Sequence, residues 1–177
     1  MRLRVIAGRL GGRTFDSPSG HKTHPMSEKM RGAIFNILGD ISGLTLLDAY
    51  SGSGAIALEA ISRGAVGVVA IDSDKKASEV ISTNSKNLDA SLKVTRANIT
   101  SWIDNNPDKY FDIVVCDPPY DDVSITRVQK VSQCTKLGGM VVISLPPDVE
   151  VNLGEGFNLR TKKEYGDSTL VFYRRIG

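Results

Sequence analysis

From Leu44 onward the chain alternates short apolar runs with longer amphipathic stretches, and no other feature limits the fold as much. Residues 44–50 (LTLLDAY), 66–72 (VGVVAID), 92–97 (LKVTRA), 111–117 (FDIVVCD) and 138–145 (GGMVVISL) read as strands. They are almost continuously apolar, as strands covered on both faces are. The stretches between them, 53–64, 73–90, 98–106 and 121–136, read as helices. Strand and helix in strict turn imply βαβ units with right-handed crossovers, hence an open parallel sheet. The tail changes rhythm: 157–166 and 168–175 are strand-like and meet through Gly166-Asp167, a hairpin signal. The expected architecture is therefore α/β, a mostly parallel sheet closed by a C-terminal antiparallel hairpin.

The first 40 residues differ in kind. RLRVIA and RTFDS flank Gly11-Gly12 and predict a short β-ribbon. A linker, SGHKTHP, leads to SEKMRGAIFNIL, a helix with Ser27 at its N-cap. Ala33, Ile34, Ile37 and Leu38 fall at helical spacing and are expected to pack on the sheet. With 177 residues, the expectation is a small N-terminal ribbon and helix (1–40) packed on one main domain (41–177). Residues 1–31 carry Arg2, Arg4, Arg9, Arg13, Lys22, Lys29 and Arg31 against Asp16 and Glu28, although the whole chain is only +2. Such a local cationic segment suits a polyanionic partner or a solvated edge equally well. No apolar run approaches the roughly 20 residues of a membrane helix, and the N-terminus is too broken by Arg and Gly for a signal peptide, so a soluble cytoplasmic protein is expected. Cys116 and Cys134 are too few for a disulfide framework, and Cys116 is expected to pack as a small hydrophobe.

In an open α/β sheet the ligand crevice lies at the carboxyl ends of the strands. The first strand closes in Asp48-Ala49-Tyr50-Ser51-Gly52-Ser53-Gly54, where the glycines allow a tight turn and a close approach of backbone to ligand. Gly52, Gly54 and Ala57 satisfy the dinucleotide pattern G-x-G-x-x-A. Two carboxylates argue against a pyrophosphate. Asp48, at the strand tip, would repel phosphate and attract an ammonium. Asp72 ends the second strand, where a carboxylate accepts from ribose hydroxyls. A nucleoside with a cationic amino-acid end answers both, and S-adenosylmethionine is such a ligand.

The fourth strand ends in Asp117-Pro118-Pro119-Tyr120. Pro-Pro terminates strands and Asp occupies turns, so this could be mere punctuation. It also delivers an acidic side chain, a rigid backbone carbonyl and an aromatic ring in four consecutive positions. Asp117 and the Pro118 carbonyl could accept the two N–H groups of an exocyclic amine while Tyr120 stacks on the ring.

Here the chain resembles the class I methyltransferases that modify amino groups through D/N-PP-Y/F, and more closely the RsmD family of ribosomal RNA guanine-N2 methyltransferases. The resemblance rests on RVIAGRLGGRTF, MRGAIFNIL, DAYSGSGAIALEAISRGA, Asp72, Asn84 and FDIVVCDPPY. It implies a Rossmann-like methyltransferase sheet and methyl transfer from S-adenosylmethionine to N2 of one guanine in small-subunit (16S) rRNA within a ribosomal particle. Two departures stand out. His24-Pro25-Met26 replaces the family's Arg-Pro-Thr, and Asn98 replaces an Asp after the third strand. The Asn98 amide oxygen is expected to accept from the adenine amino group.

The resulting assignment places Asp117, Pro118 and Tyr120 at the reacting amine. It places Asp48, Tyr50, Ser51, Gly52, Ser53, Gly54, Asp72, Asn98 and Asp117 around the cofactor, and Arg2, Arg4, Arg9, Arg13 and Arg31 on RNA. A direct in-line transfer with the target base flipped out is expected. His21 and His24, the only histidines, are expected to be solvated loop residues; neither a metal nor an oligomer is expected. An adenine-N6 methyltransferase would use the same DPPY. An NAD-dependent oxidoreductase lacks an acid/base residue on the hydride side, and a non-catalytic nucleic-acid-binding module leaves DPPY unexplained.

Overall fold

The computed structural model describes residues 1–20 and 25–177. Lys22, His21 and His24 lie outside the described residues. A two-stranded antiparallel ribbon pairs β1 (Arg2–Arg4) with β2 (Thr14–Asp16), and α1 (Glu28–Leu38) follows. The main sheet then builds from β3 (Thr45–Asp48), α2 (Ala55–Ser62), β4 (Gly67–Asp72), α3 (Lys75–Asn87), β5 (Leu92–Arg96), α4 (Ile99–Asn105), β6 (Phe111–Cys116), α5 (Ile125–Ser132), β7 (Thr135–Leu145), β8 (Phe157–Tyr165) and β9 (Ser168–Arg175). Its strand order is β5-β4-β3-β6-β7-β9-β8. The first five strands in that order run parallel; β9 is antiparallel to both β7 and β8. The chain leaves β3 toward β4 and β5, then returns to lay β6 on β3's other side. The tips of β3 and β6 therefore flank the topological switch point, where a crevice must open.

Alternate residues of each central strand enter different cores. Leu46, Ile113 and Val115 pack with Ile56, Leu58 and Ile81 of α2 and α3 on one face. Leu47, Val114 and Cys116 pack with Trp102 and Val128 of α4 and α5 on the other. Burial on both sides explains the unbroken apolar runs, and Cys116 sits in this core as expected.

The structure corrects several boundaries and one helical face. The helix expected over 121–136 is only Ile125–Ser132, because the Ser124 hydroxyl accepts from the Arg127 N–H and starts it late. The strand expected from 138 begins at Thr135, which pairs with Phe111. On α1 the buried residues are Met30, Arg31, Ile34 and Phe35, with Ile37 and Leu38 only partly covered and Ala33 at the side. The face is turned toward Arg31, which docks on Glu59 of α2 at 3.7 Å.

The N-terminal segment is bolted to α2 and α3. Ile6 and Ala7 donate their N–H groups to the Glu59 carboxylate at 2.9 and 3.1 Å. Gly8, with φ +84°, lies so close to the Ser62 carbonyl that a Cβ would stand 2.0 Å from its oxygen, so no side chain fits there. Asn84 of α3 brackets Asp16, donating to its carbonyl and accepting from its N–H. Val5, Leu10 and Phe15 join the same core as α2 and α3. Among the described residues no helix is long and apolar enough to cross a membrane.

Candidate functional site

The crevice at the switch point is built from the loop after β3, the end of β4 and the loop after β6. The β3 loop is fixed by its neighbours: Ala49 donates to the Val115 carbonyl and Ser51 to the Ile71 carbonyl. Gly52 takes a left-handed φ of 56°, and a Cβ there would meet nothing within 4 Å. That glycine thus turns its bare side to open space, and its N–H donates to Asp72 Oδ2 at 2.8 Å. The other Asp72 oxygen accepts from the Asp74 N–H at 2.9 Å. Gly54 starts α2 and brings no side-chain cap of its own; the Ala57 N–H of the first turn instead donates to the Asp48 carboxyl. Ser53 Oγ accepts from the Ala55 N–H at 3.3 Å.

Asp48 is buried and accepts from the Ser51 hydroxyl at 2.8 Å. Burial pushes its carboxyl up to about 7, the Ser51 hydrogen bond opposes this, and the charges of Asp117 and Asp72 add to the rise. A buried carboxyl poised there gains strongly from a bound cation. Tyr50 is half-buried beside it, its phenol raised to about 12 by burial.

At the tip of β6, Asp117 is half-buried and Pro118 is buried. Burial lifts the Asp117 carboxyl to about 6 against a hydrogen bond from Ser144. Tyr120 is 36 % exposed, and its hydroxyl lies 2.6 Å from Ser144 Oγ. Asp48, the glycine turn, Asp72 and DPPY are thus gathered at adjacent strand tips, as the spacing predicts.

Two groups of expected residues are placed otherwise. Asn98 caps α4: its Oδ1 accepts from the Thr100 N–H, the Thr100 hydroxyl and the Ser101 N–H. An oxygen so engaged is not the free acceptor expected for an adenine amine. Arg31 is 1 % exposed and donates to the Arg4 carbonyl; a buried guanidinium held by Glu59 cannot reach RNA phosphate, so that expectation is corrected.

The remaining arginines are exposed but occupied. Arg2 faces Asp16 at 3.7 Å and Arg4 pairs with Glu28 at 2.8 Å. Arg9 and Arg13 donate to the Asp89 and Asn87 carbonyls at the C-terminal end of α3, about 20 Å along that helix from Asp74. Sequence reasoning missed Glu59 and Ser144. A lone serine in the apolar run VVISL was the available signal for the second.

The family described as Conserved hypothetical protein 95 matches residues 3–174. The Escherichia coli "Ribosomal RNA small subunit methyltransferase D" is 32% identical over 121 residues, 67% of this chain and 61% of that protein, so the chain matches less than two thirds of that relative's length. The structure of the Escherichia coli protein yhhF superposes with a TM-score of 0.87 at 23% identity, covering 100% of this chain and 99% of that one. The Thermus thermophilus 16S rRNA N2 G1207 methyltransferase, solved with AdoMet and guanosine, superposes at 0.78 with 19% identity, covering 99% of this chain and 50% of that one. Both likenesses establish a common fold.

Proposed function

The chain belongs to the family described as Conserved hypothetical protein 95, the RsmD family, and from that membership and the crevice we propose that it transfers methyl from S-adenosylmethionine to N2 of a guanine in small-subunit rRNA. The observation that carries this reading is the carboxylate of Asp117 and the ring of Tyr120 standing together at the tip of β6, tied through Ser144. Similarity to a methyltransferase solved with guanosine supports guanine as the base.

The donor set suits the cofactor. The side-chain-free Gly54 at the start of α2 and the open side of Gly52 leave room for an amino-acid end. Asp48 would pair with its ammonium, and Asp72, already fixed by Gly52 and Asp74, would keep lone pairs for ribose hydroxyls. When bound, S-adenosylmethionine supplies an electrophilic methyl on a sulfonium and leaves as the neutral thioether S-adenosylhomocysteine.

Asp117 and the Pro118 carbonyl would accept the two N–H groups of the target amine, holding the nitrogen in place for attack while Tyr120 stacks on the base. The nitrogen's proton becomes acidic as the new N–C bond forms, and Asp117 or water takes it. Arg2, Arg4, Arg9 and Arg13 would meet backbone phosphates; the last two would do so well away from the flipped base, extending the footprint along a folded RNA.

Calorimetric titration with S-adenosylhomocysteine tests the cofactor half. Asp72→Ala should weaken binding by roughly 1.5–3 kcal/mol, the scale for hydrogen bonds to a charged acceptor, and NAD should give no heat. Unchanged affinity in a folded Asp72→Ala protein removes Asp72 from the site. For the RNA half, labelled methyl should enter small-subunit rRNA, and label in DNA alone would refute it.

A further inference from the structure

Ser144 is the polar member of the buried run 141–145 in β7, 2 % exposed and paired in register with Leu170 of β9. Nothing in β-sheet packing requires a hydroxyl at that position. Its Oγ lies 2.6 Å from the Tyr120 hydroxyl, and its hydroxyl is the group that holds the Asp117 carboxyl down against burial. Ser168, at the start of β9, donates instead to Asp167 at 3.5 Å.

The directions of these bonds follow from proton counting. An ionised carboxylate only accepts, so Ser144 must donate its single proton to Asp117. Its oxygen is then left to accept from the Tyr120 hydroxyl. The order is Tyr120 to Ser144 to Asp117, a chain in which each bond polarises the next.

We propose that Ser144 is a positioning residue of the amine site, whose hydroxyl aims the Asp117 carboxylate and tethers the Tyr120 ring so that acceptor and stacking surface are set as one unit. This rests on the methyltransferase reading above. It also assigns work to the Tyr120 hydroxyl, beyond the stacking of its ring.

The groups facing the unit are Asp48 from β3, Cys116 of β6, Tyr120 itself and Asp167 from the β8–β9 turn. None of these is cationic. With burial raising Asp117, the Ser144 hydroxyl is the group that opposes the rise. Without it, the ionised acceptor forms only at higher pH.

The test compares parent, Ser144→Ala and Ser144→Thr in two ways. Carboxyl-carbon NMR titration, with Asp117→Asn to identify the resonance, needs no RNA. Asp117 should titrate at higher pH in Ser144→Ala, and at the parental pH in Ser144→Thr if that variant folds. The acidic limb of kcat for methyl transfer should move upward in step, with activity partly regained at alkaline pH. Coincident titration of Asp117 in folded Ser144→Ala and parent overturns the proposal. A shifted titration in a protein that methylates no RNA upholds the tether and overturns the substrate reading instead.

Discussion

Asp117→Ala is expected to cut methyl transfer by about 10²–10³-fold, the scale for losing one preorganised partner of a reacting group, while the fold and most cofactor binding survive. Its carboxylate stands half-buried one residue beyond β6, the strand held between β3 and β7, so the truncation removes an acceptor without disturbing the sheet. The contact to the target amine matters most as the nitrogen is alkylated, and the loss should therefore fall on kcat. Asp117→Asn should be milder, since an amide oxygen still accepts one bond. Tyr120→Ala should lose roughly 1–3 kcal/mol of stacking, and Tyr120→Phe should fall between it and the parent because the phenol also anchors Ser144. Single-turnover rates across this series, measured beside calorimetry on each variant, give the order directly. Near-parental rates in folded Asp117→Ala would leave DPPY as a strand terminator.

The largest effect on stability is expected at Glu59→Ala. The Glu59 side chain is fully buried and serves four partners: the Ile6 and Ala7 N–H groups, Arg63 at 2.9 Å and Arg31 at 3.7 Å. Arg31 Nε and Nη1 have no hydrogen-bond partner among the described residues, so its charge depends on this carboxylate. Burial pulls the Arg31 guanidinium down and Glu59 opposes that. Removing one member of a buried pair costs about 3–5 kcal/mol, and two orphaned backbone donors add to it. Urea unfolding should register a loss of that size, and proteolysis should cut the N-terminal segment faster. Arg31→Met with Glu59→Leu should recover much of the stability, since an apolar pair leaves no charge unpaired. A loss under about 1 kcal/mol in Glu59→Ala would mean that the clamp contributes little.

Much of the fold was legible because βαβ order writes itself in apolar runs and helical spacing, and because strand tips carry the ligands. Asp48, Gly52, Asp72 and Asp117 could be placed from their positions at those tips alone. What could not be read depended on partners far apart in the chain. Glu59 meets Ile6 across 53 residues, and nothing local marks a glutamate in an apolar helix as a clamp rather than a surface charge. Arg31 counted as a surface cation for the same reason. Asn98 sits where a ligand contact is expected, yet an Asn directly before a helix has a local use as N-cap, and Thr100 and Ser101 claim it. Tyr120 and Ser144 are 24 residues apart; only the parallel pairing of β6 with β7 makes them neighbours.

On the proposed function, the amine acceptor at the tip of β6 receives guanine N2 of small-subunit rRNA. The most direct measurement is to methylate small-subunit RNA and particles with the purified protein and labelled cofactor, digest the RNA, and identify the labelled nucleoside by chromatography and mass spectrometry. The parent should yield N2-methylguanosine, and Asp117→Ala about 10²–10³-fold less of it in the same time. Label recovered as N6-methyladenosine, or on a ring carbon or ribose oxygen, would contradict it.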